Sequence, residues 1–352
     1  MNGPSLTPAA RAVADALTAG FPVFGPGTDI AAVRRSMARP PARTPALASV
    51  TDRTIPGPAG APPLPVRIYR PYERAEPGPP LPLVLFFHGG GFVLCGLDSH
   101  DGLCRLLAAG TGAVVVSVDY RLAPEHPAPA AVRDAHAAFR WAVRNAAFLG
   151  CDPARIAVAG DSSGGNLAAS VCLTARDRGG PRPAAQLLVY PALDPRTDSE
   201  SMRAFGEGYF LTAAAMRWYW EQYLGGTEPT AEVAPALAED TGGLPPALLV
   251  EAECDPLRDE GRAYAARLDR AEGPLCPGHV PRLHRLRRPA PRGRRGAAAG
   301  RELAARAARR PRPEDARHPS RDARRWSAAV VGVLPGAHGT DAGTTRLRCR
   351  DE

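Results

Sequence analysis

Residues 156–165 read Ile156-Ala157-Val158-Ala159-Gly160-Asp161-Ser162-Ser163-Gly164-Gly165. An apolar run of the kind that forms a buried strand ends at Ala159, and a helical pattern opens at Gly164 and continues to Arg176. Between them lies a G-x-S-x-G arrangement in the strand–turn–helix context of a nucleophile elbow. A turn that tight needs glycine or small residues around Ser162. It also holds the serine hydroxyl clear of the sheet, at the positive end of a helix. Any Gly/Ser-rich strand-to-helix turn reads similarly, including one that cradles a phosphate, so this stretch alone does not decide the chemistry.

A second motif does more. His88-Gly89-Gly90-Gly91 directly follows the apolar run at 83–87. Three glycines let backbone approach a substrate and aim N–H groups at a developing oxyanion, a term worth ~3–4 kcal/mol per donor in acyl transfer. Gly89, Gly90 and Gly91, with the N–H of Ser163, form the expected oxyanion hole. His88 belongs to this loop, and Asp161, beside Ser162, suits bracing backbone better than chemistry.

Outward from these motifs the chain alternates. Apolar runs at 48–55, 65–69, 83–87, 113–118, 155–159, 185–190 and 247–251 are separated by turn residues. From the third onward they are near-continuous, as strands buried on both faces read. Helical patterns at 102–110, 128–144, 164–176 and 259–268 lie between them, and two short ones at 9–17 and 29–37 precede the first run. Strand–helix alternation predicts an α/β fold with a mostly parallel, doubly wound sheet, and the first two runs, which alternate more, predict an antiparallel leading edge. Residues 199–235, carrying Trp218, Tyr219 and Trp220, interrupt the alternation and read as a helical cap over the carboxyl ends of the strands.

These features resemble the hormone-sensitive-lipase-like carboxylesterases, the GDXG group of α/β-hydrolases. The likeness rests on His88–Gly91, on Asp119-Tyr120-Arg121-Leu122-Ala123-Pro124-Glu125, on Gly160–Gly165 with Asn166, on Tyr190-Pro191-Ala192-Leu193-Asp194, and on Asp255-Pro256-Leu257-Arg258-Asp259-Glu260. It implies an α/β-hydrolase domain over residues 1–270, with a cap drawn from 1–45 and 199–235. Ser162 is then the nucleophile of a serine ester hydrolase acting on small to medium acyl esters. Asp255 reads locally as a helix N-cap at least as well as a catalytic group, and the resemblance makes it the triad acid. Asp259, one turn further on, better suits the capping role. Arg121 and Glu125 are expected to brace the oxyanion loop. No metal and no organic cofactor are implied; the expected partner is a small-molecule ester, with a homodimer left open.

A triad also needs a histidine after Asp255, which the resembling proteins carry in a phrase like Pro-Gly-x-x-His-Gly-Phe. This chain has none there. His284 lies 29 residues after Asp255, with no strand before it, and His338 follows an apolar run at 328–334 but lies 83 residues on. Each reads more readily as a solvated tail histidine than as the base. His100, His126 and His136 precede Ser162. The alternative is therefore a catalytically impaired or ligand-binding relative; the plant gibberellin receptors resemble this family and lack the triad histidine.

Composition locates the break. All 44 basic residues are Arg, and residues 271–352 hold 19 of them against 8 acids, leaving 25 Arg and 28 acids elsewhere, so the net charge of +8 belongs to the tail. That segment has no Phe, Tyr, Ile, Met, Asn or Gln, a composition that favours disorder and cannot supply an ordinary last strand and helix. An out-of-frame reading of a GC-rich gene accounts for it, with a natural basic extension as the alternative. The Arg-rich tail has no aromatic interleaving or recognised nucleic-acid module, so no nucleic acid is expected. No apolar run is long enough for a membrane span. Pro4, Pro8, Asp15 and Pro22 stand where a secretory signal would be apolar. Seven cysteines without a C-x-x-C pair fit reduced thiols and a cytoplasmic protein.

Overall fold

The computed structural model describes residues 6–25, 27–37, 44–72, 78–269, 271–272 and 275–276. Two short helices come first, α1 (Pro8–Ala19) and α2 (Ile30–Met37). Then follow β1 (Ser49–Ile55), β2 (Leu64–Arg70), β3 (Leu81–Phe87), α3 (Asp101–Thr111), β4 (Val114–Val118), α4 (Ala130–Asn145), β5 (Cys151–Asp161), α5 (Ser163–Asp177) and β6 (Ala185–Val189). The insertion contributes α6 (Glu200–Phe205) and α7 (Ala213–Leu224), and the chain returns through β7 (Ala247–Ala252) and α8 (Arg258–Arg267). Two strands of two residues each, β8 (Ala271–Glu272) and β9 (Leu275–Cys276), complete the described elements.

The strands run in the order β1-β2-β4-β3-β5-β6-β7-β8, with β9 also on β7. β1 pairs with β2, and β2 with β4, antiparallel; every later pairing is parallel. All seven expected strands and the antiparallel leading edge are present. The near-continuous apolar runs have a direct cause. Along β3, Leu83, Leu85 and Phe87 point into one core, packed with Phe139 of α4 and Leu167 of α5. Val84 and Phe86 point into the other, with Leu103 and Leu107 of α3. A strand alternates its side chains between faces, so a sheet covered on both needs apolar residues at every position. β1, at the edge, is exposed from Thr51 to Thr54.

The sheet also runs past residue 270, where the body was expected to end. Ala271 and Glu272 pair with Ala247 and Leu248, and Leu275 and Cys276 pair with Glu251 and Ala252. Backbone pairing here needs no apolar run, so the sequence carried no signal for it.

Strand order places the site. The connection after β3 leads to β4 on one side, and the connection after β5 leads to β6 on the other. Loops leaving adjacent strands in opposite directions open a crevice at their carboxyl ends, where open α/β sheets bind ligands. His88 follows β3 and Ser162 follows β5, so both expected motifs meet at this point.

Candidate active site

Ser162 is the whole turn between β5 and α5. Its backbone is left-handed, at φ 53° and ψ −119°, an unfavourable conformation for a residue with a Cβ. Three bonds hold it: its N–H donates to the Val189 carbonyl at 2.8 Å, and its carbonyl accepts the N–H groups of Asn166 and Ala192, each at 3.1 Å. The neighbouring glycines are sterically required. A Cβ on Gly160 would collide with the Gly164 backbone, one on Gly164 with the Phe87 carbonyl, and one on Gly165 would come 2.8 Å from Pro191 Cβ. Ser162 occupies the N-cap position of α5, yet its hydroxyl makes no capping bond. It is half-buried between two buried neighbours, which leaves the hydroxyl for the crevice.

The glycine loop is tied down almost completely. The Tyr120 hydroxyl donates to the His88 carbonyl at 2.7 Å, and its ring stacks on the His88 imidazole at 4.3 Å. His88 Nδ1 lies 2.8 Å from the Gly89 carbonyl and so carries the proton. Burial, with His100 nearby, pushes the His88 imidazole down to about 3, so it stays neutral. The Gly90 carbonyl accepts Val93 and Leu94 N–H groups at 3.1 and 2.8 Å. Gly89 N–H donates to Asp161 Oδ1 at 2.9 Å. That bond corrects the expected donor set: Gly89 N–H is already committed. The N–H groups of Gly90 and Gly91 have no partner among the described residues, and neither does that of Ser163. A Cβ on Gly91 would also penetrate the Tyr219 ring, so α7 lies directly against the loop.

More distant groups reach this loop. Arg34 of α2 donates to the Val93 and Ala123 carbonyls and to both oxygens of Glu125, each at 2.8 Å. Glu125 therefore braces the loop through Arg34, whose role no sequence signal disclosed. Arg121 turns the other way, chelating fully buried Asp134 of α4 at 2.7 to 3.1 Å.

Asp255 lies just past β7, two strands from Ser162, and is fully buried. Its Oδ1 accepts the Leu257 N–H at 2.9 Å, while Oδ2 has no partner among the described residues. Burial raises its carboxyl to about 7, against a smaller lowering by the Leu257 N–H. Oδ2 is thus a buried acceptor suited to an imidazole N–H. Asp259 caps a neighbouring helix and not its own: its Oδ2 accepts the Ser201 N–H at the start of α6, at 2.7 Å. Glu260, unanticipated, is buried and accepts the Leu193 N–H at 2.8 Å, fixing the strand-end loop whose Ala192 holds Ser162. His284 and His338 lie outside the described residues.

The amino-terminal segment and the insertion pack on each other. Phe24 stacks on Trp218 at 4.8 Å, Phe21 meets Phe210 edge-on at 5.0 Å, and Arg11 donates to the Gly208 carbonyl at 2.6 Å. Among the described residues, no cluster of His, Cys, Asp or Glu is placed to hold a metal, and no helix is long and apolar enough to cross a membrane.

A strained serine at a strand–helix elbow, facing a pinned glycine loop on a sheet of this order, defines the α/β-hydrolase class. Comparison with known proteins agrees. The family model for the alpha/beta hydrolase fold matches residues 84–277. The carboxylic ester hydrolase LipN of Mycobacterium tuberculosis is 50% identical over 232 residues, covering 64% of this chain and 60% of its own length. The carboxylesterase NlhH of the same organism is 42% identical over 276 residues, 76% of this chain and 84% of its own. A hyperthermophilic esterase from Pyrobaculum calidifontis superposes with a TM-score of 0.69 at 40% identity, over 86% of this chain and 97% of that one. The chain belongs to the α/β-hydrolase-fold family, in the hormone-sensitive-lipase-like carboxylesterase group.

Proposed function

We propose that the chain hydrolyses small to medium carboxylic esters through an acyl-enzyme on Ser162. The observation that carries this is the pairing of an uncapped Ser162 hydroxyl, on a strained backbone, with Gly90, Gly91 and Ser163 N–H groups that have no partner among the described residues, in a loop held by hydrogen bonds at His88, Gly89 and Gly90. Donors fixed before reaction need no reorganisation as charge develops, which is how such holes lower a barrier. A histidine paired with Asp255 Oδ2 takes the Ser162 proton as the oxygen attacks the carbonyl. The three N–H groups stabilise the oxyanion, the protonated histidine releases the alcohol, and water then frees the acid. His284 and His338 are the sequence's candidates for that base.

The reading takes segments 1–45 and 199–235 as a cap shaping the acyl site, and needs no metal or organic cofactor. A cytoplasmic location is part of the same proposal, supported by described cysteines that form no disulfide, and a homodimer is left open. The names of LipN, NlhH and the archaeal esterase support ester substrates. A short-chain p-nitrophenyl ester assay tests it, with Ser162→Ala as control and His284→Ala and His338→Ala in parallel. Turnover lost in Ser162→Ala supports the proposal and identifies the base by which histidine variant also fails. Equal background in wild type and Ser162→Ala overturns it in favour of a ligand-binding relative.

A further inference from the structure

The peptide joining Ala192 to Leu193, in the loop after β6, is gripped at both ends. Its carbonyl accepts Asn166 Nδ2 at 2.9 Å, and its N–H donates to Glu260 Oε1 at 2.8 Å. Asn166 stands in the first turn of α5 and Glu260 in the first turn of α8, and both are buried. A trans peptide points its C=O and N–H in opposite directions, so turning this plane breaks both bonds. The partners of Asn166 fix which way its amide lies. Nδ2 also meets the Val233 carbonyl at 3.1 Å, and only an NH2 group can serve two carbonyls, while Oδ1 accepts the Ser170 hydroxyl at 3.2 Å. Either charge state of the Glu260 carboxyl offers an oxygen to the Leu193 N–H, and the backbone of Asp194 bonds to the same carboxyl.

We propose that Asn166 and Glu260 are positioning residues that, from opposite ends of the Ala192–Leu193 peptide, hold the Ala192 N–H on the Ser162 carbonyl and thereby aim the Ser163 N–H into the oxyanion hole. The link is covalent geometry. The Ser162 carbonyl and the Ser163 N–H belong to one planar peptide, so fixing the first orients the second. Two N–H groups fix that carbonyl, those of Asn166 and Ala192, each at 3.1 Å. Ser162, at φ 53° and ψ −119°, keeps such a conformation only where its surroundings over-determine it. The rest of the loop is packed to match. Ala236 N–H donates to the Leu193 carbonyl at 3.2 Å, from the end of the insertion. Pro191 lies between the two helices: a Cβ on Gly165 of α5 would come 2.8 Å from it, and one on Gly261 of α8 would come 3.8 Å. Because Glu260 opens the helix that follows Asp255, the same grip ties the acid's turn to the elbow.

The kinetic consequence rests on the ester-hydrolase reading; the grip on the peptide does not, and it is measured without substrate. Hydrogen exchange of the full chain, followed by mass spectrometry on overlapping peptides across 160–168 and 187–195, is expected to place the Leu193 amide among the slowest in wild type. Exchange of that amide at the rate of exposed loops overturns the proposal without any variant. Glu260→Leu and Asn166→Leu cut the grip from opposite ends, and in each both segments should exchange faster while β3 and β4 do not change. No change over 160–168 in Glu260→Leu, or a rise spread evenly over the sheet, refutes the coupling. With a p-nitrophenyl ester, each variant is expected to lower kcat roughly ten- to a hundredfold with KM within about twofold, because an oxyanion donor acts in the transition state. Glu260→Gln keeps an oxygen for the Leu193 N–H and should stay within about threefold of wild-type kcat. The double leucine variant should be no worse than the poorer single one, since both hold one peptide. Losses that multiply, a Glu260→Gln as poor as Glu260→Leu, or an unchanged kcat in folded Glu260→Leu overturns the positioning role. Absence of turnover in wild type would instead strike the ester reading and leave the exchange data to decide the grip.

Discussion

Replacing Asp255 by Asn should stabilise the protein, increasingly so as pH rises. The side chain is fully buried, and burial lifts its pKa from 3.8 to about 7. Between those values the folded state holds a proton that the unfolded chain has released. Stability contributed by this group is therefore complete below pH 4 and is lost as pH rises through 7. With those two values, the wild type loses about 3 kcal/mol between pH 5 and pH 8 through this one carboxyl. Asn cannot titrate and keeps an oxygen for the Leu257 N–H. The difference in unfolding free energy between variant and wild type should grow by that amount over the same interval, measured by urea denaturation at pH 5, 6.5 and 8. Ester turnover should fall in the same variant, because the acceptor at Oδ2 becomes a donor. A stability gap that does not widen with pH would refute burial as the dominant influence on this carboxyl, and would mean that a partner such as the imidazole proposed for Oδ2 holds it ionised in the folded chain. Such a cost at a functional position has a known logic: active sites keep groups that the fold alone would discard.

Three further perturbations follow from the contacts. Gly164→Ala puts a Cβ against the Phe87 carbonyl between two central strands, and should fail to accumulate as folded protein; a soluble variant with a native circular dichroism spectrum would contradict this. Arg121→Ala removes the guanidinium that pairs with the fully buried Asp134, leaves that carboxylate the backbone N–H of residue 121, and should cost about 3 kcal/mol in urea titrations, whereas a loss under 1 kcal/mol would mean Asp134 finds another cation. Arg34→Ala removes its donors to Val93, Ala123 and Glu125 together, and should reduce kcat more than it raises KM; unchanged kcat would show the loop holds without α2.

The strands were legible because burial on both faces removes the polar residues that would blur them, and the elbow was legible because its glycines are sterically forced. β5 begins at Cys151, earlier than the apolar run at 155, because its first residues pair with β3 across a register shift near Leu81. What sequence could not disclose is held by long-range polar contacts. Gly89 reads as an oxyanion donor until Asp161 is seen to take its N–H. Arg34 lies 91 residues from Glu125, and Tyr219 meets Gly91 across more than half the sheet's chain length. No local pattern encodes such a pairing. His100 precedes the elbow, which excludes it as base in this fold's Ser–Asp–His order; its place beside Asp161 is visible only in three dimensions.

Ser162 is proposed as a nucleophile facing a formed oxyanion hole. Reaction of the full chain with an alkyl fluorophosphonate, followed by intact-mass and peptide-level mass spectrometry, tests it without needing a known substrate. One adduct per chain is expected, on Ser162, formed by wild type and absent from Ser162→Ala. No adduct on wild type under conditions that label an authentic serine esterase, or an adduct on another residue that persists in Ser162→Ala, would contradict it.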